Sequence, residues 1–201
     1  GEGKTLVSLN ASLAFASLSK RVLLVGSDLR NPQIHKYLGV DKNTNGLVNF
    51  LHDEKLSWKD YVLTPFEKNP TLDILLSGTL PPNPLSLINN GNFEKLINQA
   101  KKTYDIILID SAPLLLVADT LSLSYLADAT LYLVKCNHTD KEVGKYISKT
   151  VEEKKIDNVG IILNSVGNTA SYKYQYGYKY GYSYKYSYNY GYGYGYSEDK
   201  D

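Results

Sequence analysis

Apolar positions along the chain switch between a helical and an extended spacing. From Thr5 to Lys20 they fall at Leu6, Val7, Leu9, Leu13, Ala14 and Leu18 with small residues between, which predicts a helix. Arg21-Val22-Leu23-Leu24-Val25 is a short apolar run of buried-strand type, and it ends in a polar turn from Gly26 to Pro32. Gly39 to Asn69 offers only short amphipathic pieces around Leu47, Leu51, Trp58 and Tyr61, read as short helices and loops with Trp58 in the core. Leu72 to Leu76 is a second strand. The three prolines between Ser77 and Pro84 then forbid regular structure. Asn83-Pro84 makes a helix start, and that helix is expected to run through Phe93, Leu96 and Ile97 to Lys102. The four consecutive apolar residues Ile106 to Ile109 predict a strand buried on both faces. Ala129–Val134, also a buried strand, and Val159–Asn164 flank a helix of mixed charge over Asp140–Glu153. This strand–helix alternation predicts an α/β fold: a mostly parallel sheet with helices on both faces.

Composition narrows the function classes. The 201 residues suit one folded domain with a sizeable core. Lys and Arg total 22 against 21 Asp and Glu, so no net field directs the chain to nucleic acid or to an anionic membrane. Cys136 is alone, which excludes an internal disulfide and a cysteine metal cluster. No apolar run approaches the roughly 20 residues of a membrane-spanning helix. Tyrosine is the exception, with 19 residues, most of them crowded towards one end. Tyr172, Tyr174, Tyr176, Tyr178, Tyr180, Tyr182, Tyr184, Tyr186, Tyr188, Tyr190, Tyr192, Tyr194 and Tyr196 occupy every second position, separated by Lys, Gln, Gly, Ser or Asn. That composition divides the chain into a folded domain over 1–168 and a low-complexity tail over 169–201, expected to be disordered. The tail is either sticky and chemically idle or a row of phosphoacceptors, because the phenol is the one group it supplies repeatedly.

Gly1-Glu2-Gly3-Lys4-Thr5 carries the candidate chemistry. Gly3, Lys4 and Thr5 match the end of the phosphate-binding pattern G-x-x-x-x-G-K-[ST]. In that pattern backbone N–H groups cradle phosphates, the Lys reaches the β/γ-phosphates and the hydroxyl ligates Mg²⁺. The first Gly, and the strand feeding the loop, would lie before residue 1, so the sheet is expected to lack its first, central strand. The predicted helix opens from this loop and would add its dipole to phosphate binding. Asp28 and Arg30 follow a buried strand, where open α/β sheets bind ligands, or else they form a capped surface turn with an ion pair. Asp110 ends the Ile106–Ile109 run, a position suited to holding Mg²⁺. The competing reading is a helix N-cap, a role also open to Asp119. Asn164, at the end of the last strand, reads a base edge or stabilises a turn.

Taken together, these stretches resemble the bacterial tyrosine kinases, P-loop autokinases of capsule and exopolysaccharide assembly. Gly1 to Thr5 is similar to the end of their Walker A motif, and Leu23 to Arg30 to their second, family-specific Walker motif. Ile107 to Pro113 is similar to their Walker B, the Gly78-to-Pro84 turn also looks like theirs, and a tyrosine cluster is their hallmark. The resemblance implies ATP and Mg²⁺ as cofactors. Gly1, Glu2, Gly3, Lys4, Thr5 and Leu6 would surround the nucleotide phosphates, and Asn164 would contact adenine. Thr5, Asp28 and Asp110 would serve the metal; Lys4, Asp28, Arg30 and Asp110 would be catalytic; the alternating tyrosines would be phosphoacceptors. It further implies ring-like oligomers in which a tail enters the next subunit, and a membrane co-polymerase region that is fused or separate. An opposing phosphotyrosine phosphatase and a place at the cytoplasmic face of the bacterial inner membrane complete the expectation. The family usually has Asp where this chain has Gly26, a carboxylate thought to act near the attacked phenol. Two other readings stay open: an ATP-binding scaffold without transfer, and a partitioning or positioning ATPase of the same branch.

Overall fold

The computed structural model describes residues 2–53, 55–113, 121 and 123–166. Strand β1 (Val22–Gly26) is buried at all five positions and forms the middle of a four-stranded sheet. It pairs in parallel with β3 (Leu72–Leu75) on one side and β4 (Ile106–Asp110) on the other. The short strand β2 (Val62–Leu63) adds antiparallel to β3, giving the order β2-β3-β1-β4. Alternate side chains of β1 point to opposite faces, as the pleat requires. Val22 and Leu24 pack in one core with Leu9 and Ala16 of α1 (Lys4–Ser17), together with Leu72 and Ile74 of β3. Leu23 and Val25 pack in the other with Leu47, Phe50 and Leu51 of α3 (Leu47–His52). Phe93, Leu96 and Ile97 of α5 (Asn92–Ala100) and Trp58 belong to that second core too. The expectation for Trp58 holds: it is 1% exposed, and its indole N–H donates to Gln99 Oε1 at 2.8 Å.

Two expectations are corrected. The helix from Asn83 to Lys102 is two helices, α4 (Pro84–Ile88) and α5, with Asn89-Asn90-Gly91 between them. Gly91 turns left-handed at φ 85°, and Asn90 accepts the N–H of Asn92 while donating to Leu51 O, so local side-chain bonds compete with helix continuation. A short helix α2 (Ile34–Leu38), in a stretch to which the sequence pattern assigns no element, buries Ile34 and ends at Gly39. The apolar strands are also less buried than their composition implies. Ile106 to Ile109 are half-buried, because β4 ends its sheet and one of its edges has no strand partner among the described residues. Strands β5 (Thr130–Lys135) and β6 (Val159–Asn164) pair in parallel as a separate two-stranded sheet, in which Leu133 alone is buried and Leu131, Ile161 and Leu163 are exposed. The helix between them, α6 (Glu142–Glu152), buries Val143, Ile147 and Thr150. No helix of the described residues is long and apolar enough to cross a membrane.

The entry edges of β1 and β4 are clamped by one ion pair. Asp105 accepts from the Arg21 backbone N–H at 2.9 Å and from its guanidinium at 2.7 Å. Those bonds hold the Asp105 carboxyl at about 2, below its ordinary value near 3.8. A depressed carboxylate stabilises the fold above its ordinary value and loses that contribution as pH falls towards the folded value. The pair is exposed, so the effect is small. Urea midpoints of the parent and of Asp105→Asn should therefore differ at pH 6 and converge as pH falls from 4 to 2. A constant gap across that window would contradict the assignment.

Candidate active site

The phosphate loop folds as its residue types dictate. Gly3 caps α1 in the left-handed region, at φ 94° and ψ 24°, and a Cβ there would lie 2.8 Å from Asn164 Nδ2. Only glycine fits, through conformation and space together. The first turn of α1 carries no acidic residue and no side-chain cap, so its N–H groups and dipole are available to an anion. Lys4 Nζ contacts Glu2 Oε2 at 2.9 Å, with both side chains 29% exposed. Asn164 donates through Nδ2 to Glu2 O at 2.8 Å and accepts the Ser165 N–H at 2.8 Å through Oδ1. Of the two roles left open for Asn164, its bonds here are those of a brace joining the end of β6 to the phosphate loop.

Asp110 lies at the C-terminal end of β4, directly across the ladder from Gly26. It is 4% exposed, and Ser8 Oγ donates to its Oδ1 at 3.4 Å. Burial pushes the Asp110 carboxyl up and the negative charge of Asp28 adds to this, while hydrogen bonds from Thr5 and Ser8 and the charge of Lys4 act in the opposite direction. Its backbone oxygen accepts the N–H groups of Ser27 at 2.9 Å and Asp28 at 3.1 Å, locking the two strand ends together. Asp28 is half-buried, and its Oδ1 accepts the N–H groups of Arg30 and Asn31 in a side-chain-capped turn. Thr5, Ser8, Asp28 and Asp110 thus gather hard oxygen donors beside a lysine at a helix N-terminus. Among the described residues no group of three or more His, Cys, Asp and Glu could cage a metal. A donor set of one or two carboxylates plus a hydroxyl fits Mg²⁺, which completes its shell with water and substrate phosphates.

The structure brings Glu2, Gly3, Lys4, Thr5, Asp110 and Asn164 together around the start of α1, and the loop carrying Asp28 and Arg30 adjoins Asp110. Leu6 is exposed on the first turn of α1. Gly1, Asp119 and the tyrosines from Tyr172 to Tyr196 lie outside the described residues. Ser8, Ser27 and Ser77 were not singled out in the sequence. Ser8 follows Thr5 by three positions, a spacing that places both on one helix face and could have revealed it.

Gly26 marks a packed site. A Cβ there would meet Ser77 Oγ at 2.9 Å, Ile34 Cδ1 at 3.1 Å and Ser77 N at 3.2 Å. Ser77 Oγ is buried and donates to Gly26 O at 2.9 Å. Installing a carboxylate would displace this contact and add negative charge next to Asp110. Gly26→Asp should therefore cost about 1–3 kcal/mol of stability, as overpacking does. Unfolding in urea without magnesium measures this, and an unchanged midpoint would show that Ser77 and Ile34 yield freely.

A buried strand end bearing Asp110, a glycine-lysine-threonine helix start and a parallel sheet define a P-loop nucleotide-binding protein. The family model described as an AAA domain matches residues 1–157. The chain is 35% identical over 164 residues to the tyrosine-protein kinase YwqD of Bacillus subtilis, covering 82% of this chain and 68% of that one. It is 34% identical over 173 residues to a putative tyrosine-protein kinase in the cps region of Klebsiella pneumoniae, covering 86% of this chain but 23% of that longer protein. The kinase domain of the Escherichia coli tyrosine kinase ETK superposes with a TM-score of 0.76 at 29% identity, covering 90% of this chain and 69% of that domain. The chain belongs to the bacterial tyrosine kinase family.

Proposed function

We propose that this chain is an ATP-dependent protein-tyrosine autokinase whose acceptors are the tyrosines between Tyr172 and Tyr196. The observation that carries the reading is the meeting of Thr5, Ser8 and Asp28 around the buried Asp110 carboxylate, in a chain that also bears a tyrosine at every second position of its tail. Mg-ATP, when bound, supplies the phosphoryl group and the leaving diphosphate. Gly3 and the N-terminal N–H groups of α1 would hold the phosphates, and Lys4 would exchange Glu2 for the β/γ oxygens. Thr5 and Asp110 would hold the metal. Asp28 would orient the incoming phenol or the metal, with Arg30 on the same turn. Adenine contact by Asn164 would require it to give up its bond to Glu2 O or the one it accepts from the Ser165 N–H.

Asp28 or solvent would take the proton of the acceptor phenol, whose oxygen would receive the phosphoryl group that Mg-ATP supplies as the diphosphate leaves. A phenol has a pKa near 10, so a strong base matters less if the transition state is loose. Positioning and charge stabilisation then do most of the catalysis. This accommodates Gly26, whose missing carboxylate also supports a second reading, an ATP-binding scaffold without transfer.

By likeness to relatives such as that of the cps region, the reading extends to control of polysaccharide polymerisation and export. It includes a folded part over 1–168 with an acceptor tail over 169–201, homo-oligomers, a membrane co-polymerase activator and an opposing phosphatase. The cytoplasmic face of the inner membrane would be its site of action. The test is product analysis after incubation of dephosphorylated chain with Mg-ATP. Phosphotyrosine supports the kinase, free phosphate alone the partitioning ATPase, and neither product, with ATP bound, the scaffold.

A further inference from the structure

The C-terminal ends of β1 and β3 lie side by side, and a cleft of about 170 Å³ opens there between the loop after β1 and the turn after β3. Arg30, His35, Lys36 and Lys42 line it, facing Gly78 and Leu80, and among the described residues no Asp or Glu lines it. Lys36 Nζ is steadied at 2.7 Å by Gln33 Oε1, and Lys42 is exposed. Of the neighbouring carboxylates, Asp28 accepts the N–H groups of Arg30 and Asn31 through Oδ1, and Asp41 accepts that of Asn43 at 2.7 Å. Burial together with the charges of Lys36 and Lys42 holds His35 below its ordinary pKa, with Asp41 offsetting in part, as expected in a positive potential.

We propose that this cleft is an anion subsite that binds phosphotyrosine of the acceptor segment, holding a finished residue while the next tyrosine meets Asp28. The choice of occupant rests on the kinase reading above. Spacing supports it: Arg30 lies two residues from Asp28, at most about 7 Å along the chain. An extended segment repeats its side chains on one face every two residues, at about 6.6–6.8 Å, and the tyrosines of this chain recur every two residues. Charge supports it as well. The unmodified tail carries Lys173, Lys179 and Lys185 among its tyrosines, which the cleft repels, whereas each phosphate adds about −1.5 to −2 charges. Binding is thus selective for the modified segment, and phosphorylation runs on along it once begun.

The test uses the full chain, dephosphorylated, without nucleotide, and two fluorescent peptides of sequence 176–186, one phosphorylated at Tyr180 and one unmodified. The phosphopeptide should bind at least about tenfold tighter, the ratio expected of one charge-assisted contact. Lys36→Glu and Lys42→Glu, both at exposed positions, should each erase that preference while leaving the thermal midpoint within a few degrees. Equal affinity for the two peptides, or a preference unchanged in both variants, overturns the proposal. Because no phosphate transfer is involved, selective binding by a chain that never makes phosphotyrosine would sink the kinase reading and keep the anion subsite. Transfer without selective binding would do the reverse.

Discussion

Lys4→Met should lower tyrosine phosphorylation by at least about a hundredfold, the usual cost of removing one donor that meets developing charge. Lys4 stands at the first position of α1, whose N-terminal N–H groups have no side-chain cap. Its 2.9 Å contact with Glu2 keeps the ammonium at the mouth of the loop. Burial pushes the Glu2 carboxyl up, but the hydrogen bond from Lys4, a backbone hydrogen bond and the charge of Lys4 together act against it and leave Glu2 below its ordinary value. Both side chains are partly exposed, so the lost ion pair should change stability by no more than about 1 kcal/mol. The initial rate of labelled phosphate incorporation, with far-ultraviolet circular dichroism to confirm folding, measures both effects. Transfer within tenfold of the parent would remove Lys4 from the mechanism.

Asp110→Asn should separate function from stability. Phosphate transfer should fall at least about a hundredfold, because the carboxylate that would hold the metal is gone. Without magnesium, however, the variant should be more stable than the parent at pH 7. Asp110 is 4% exposed, and burial, reinforced by Asp28, pushes its carboxyl up. A carboxyl with a raised folded value binds more protons folded than unfolded, so stability falls as pH climbs from its ordinary value through the folded one, and the loss persists at neutrality. Asparagine keeps the shape without the charge, and the backbone bonds from Ser27 and Asp28 to residue 110 remain. Each kcal/mol gained should raise the unfolding midpoint by about 2–4 °C. A lower midpoint than the parent at pH 7 in chelator, or retained transfer, would contradict this view of Asp110.

Much of this site was legible because its residues are dictated by backbone and charge. Gly3-Lys4-Thr5 opening an apolar-periodic helix and Asp110 closing a run of four apolar residues fold as their patterns predict. The Asp28 turn is capped by its own side chain, one of the two readings its sequence allowed. Other features depend on contacts between distant segments. An apolar run does not reveal how many strands flank it, so Ile106 to Ile109 and the residues of β5 are more exposed than their composition suggested. Asn89-Asn90-Gly91 sits within an apolar period that reads as one helix, and only the bonds to Leu51 O show why the chain turns there. Ser77 becomes important because it fills the space beside Gly26, which no pattern along the chain discloses. The positive cleft likewise joins Arg30, Lys36 and Lys42 to a turn after β3, about 40 residues on.

The most direct test of the central claim is tandem mass spectrometry that locates phosphate on the dephosphorylated full chain after incubation with Mg-ATP, run beside Lys4→Met. The account predicts phosphate on several tyrosines between Tyr172 and Tyr196 in the parent and none in the variant. An unmodified parent tail with nucleotide demonstrably bound, or equal modification of the two chains, would contradict it.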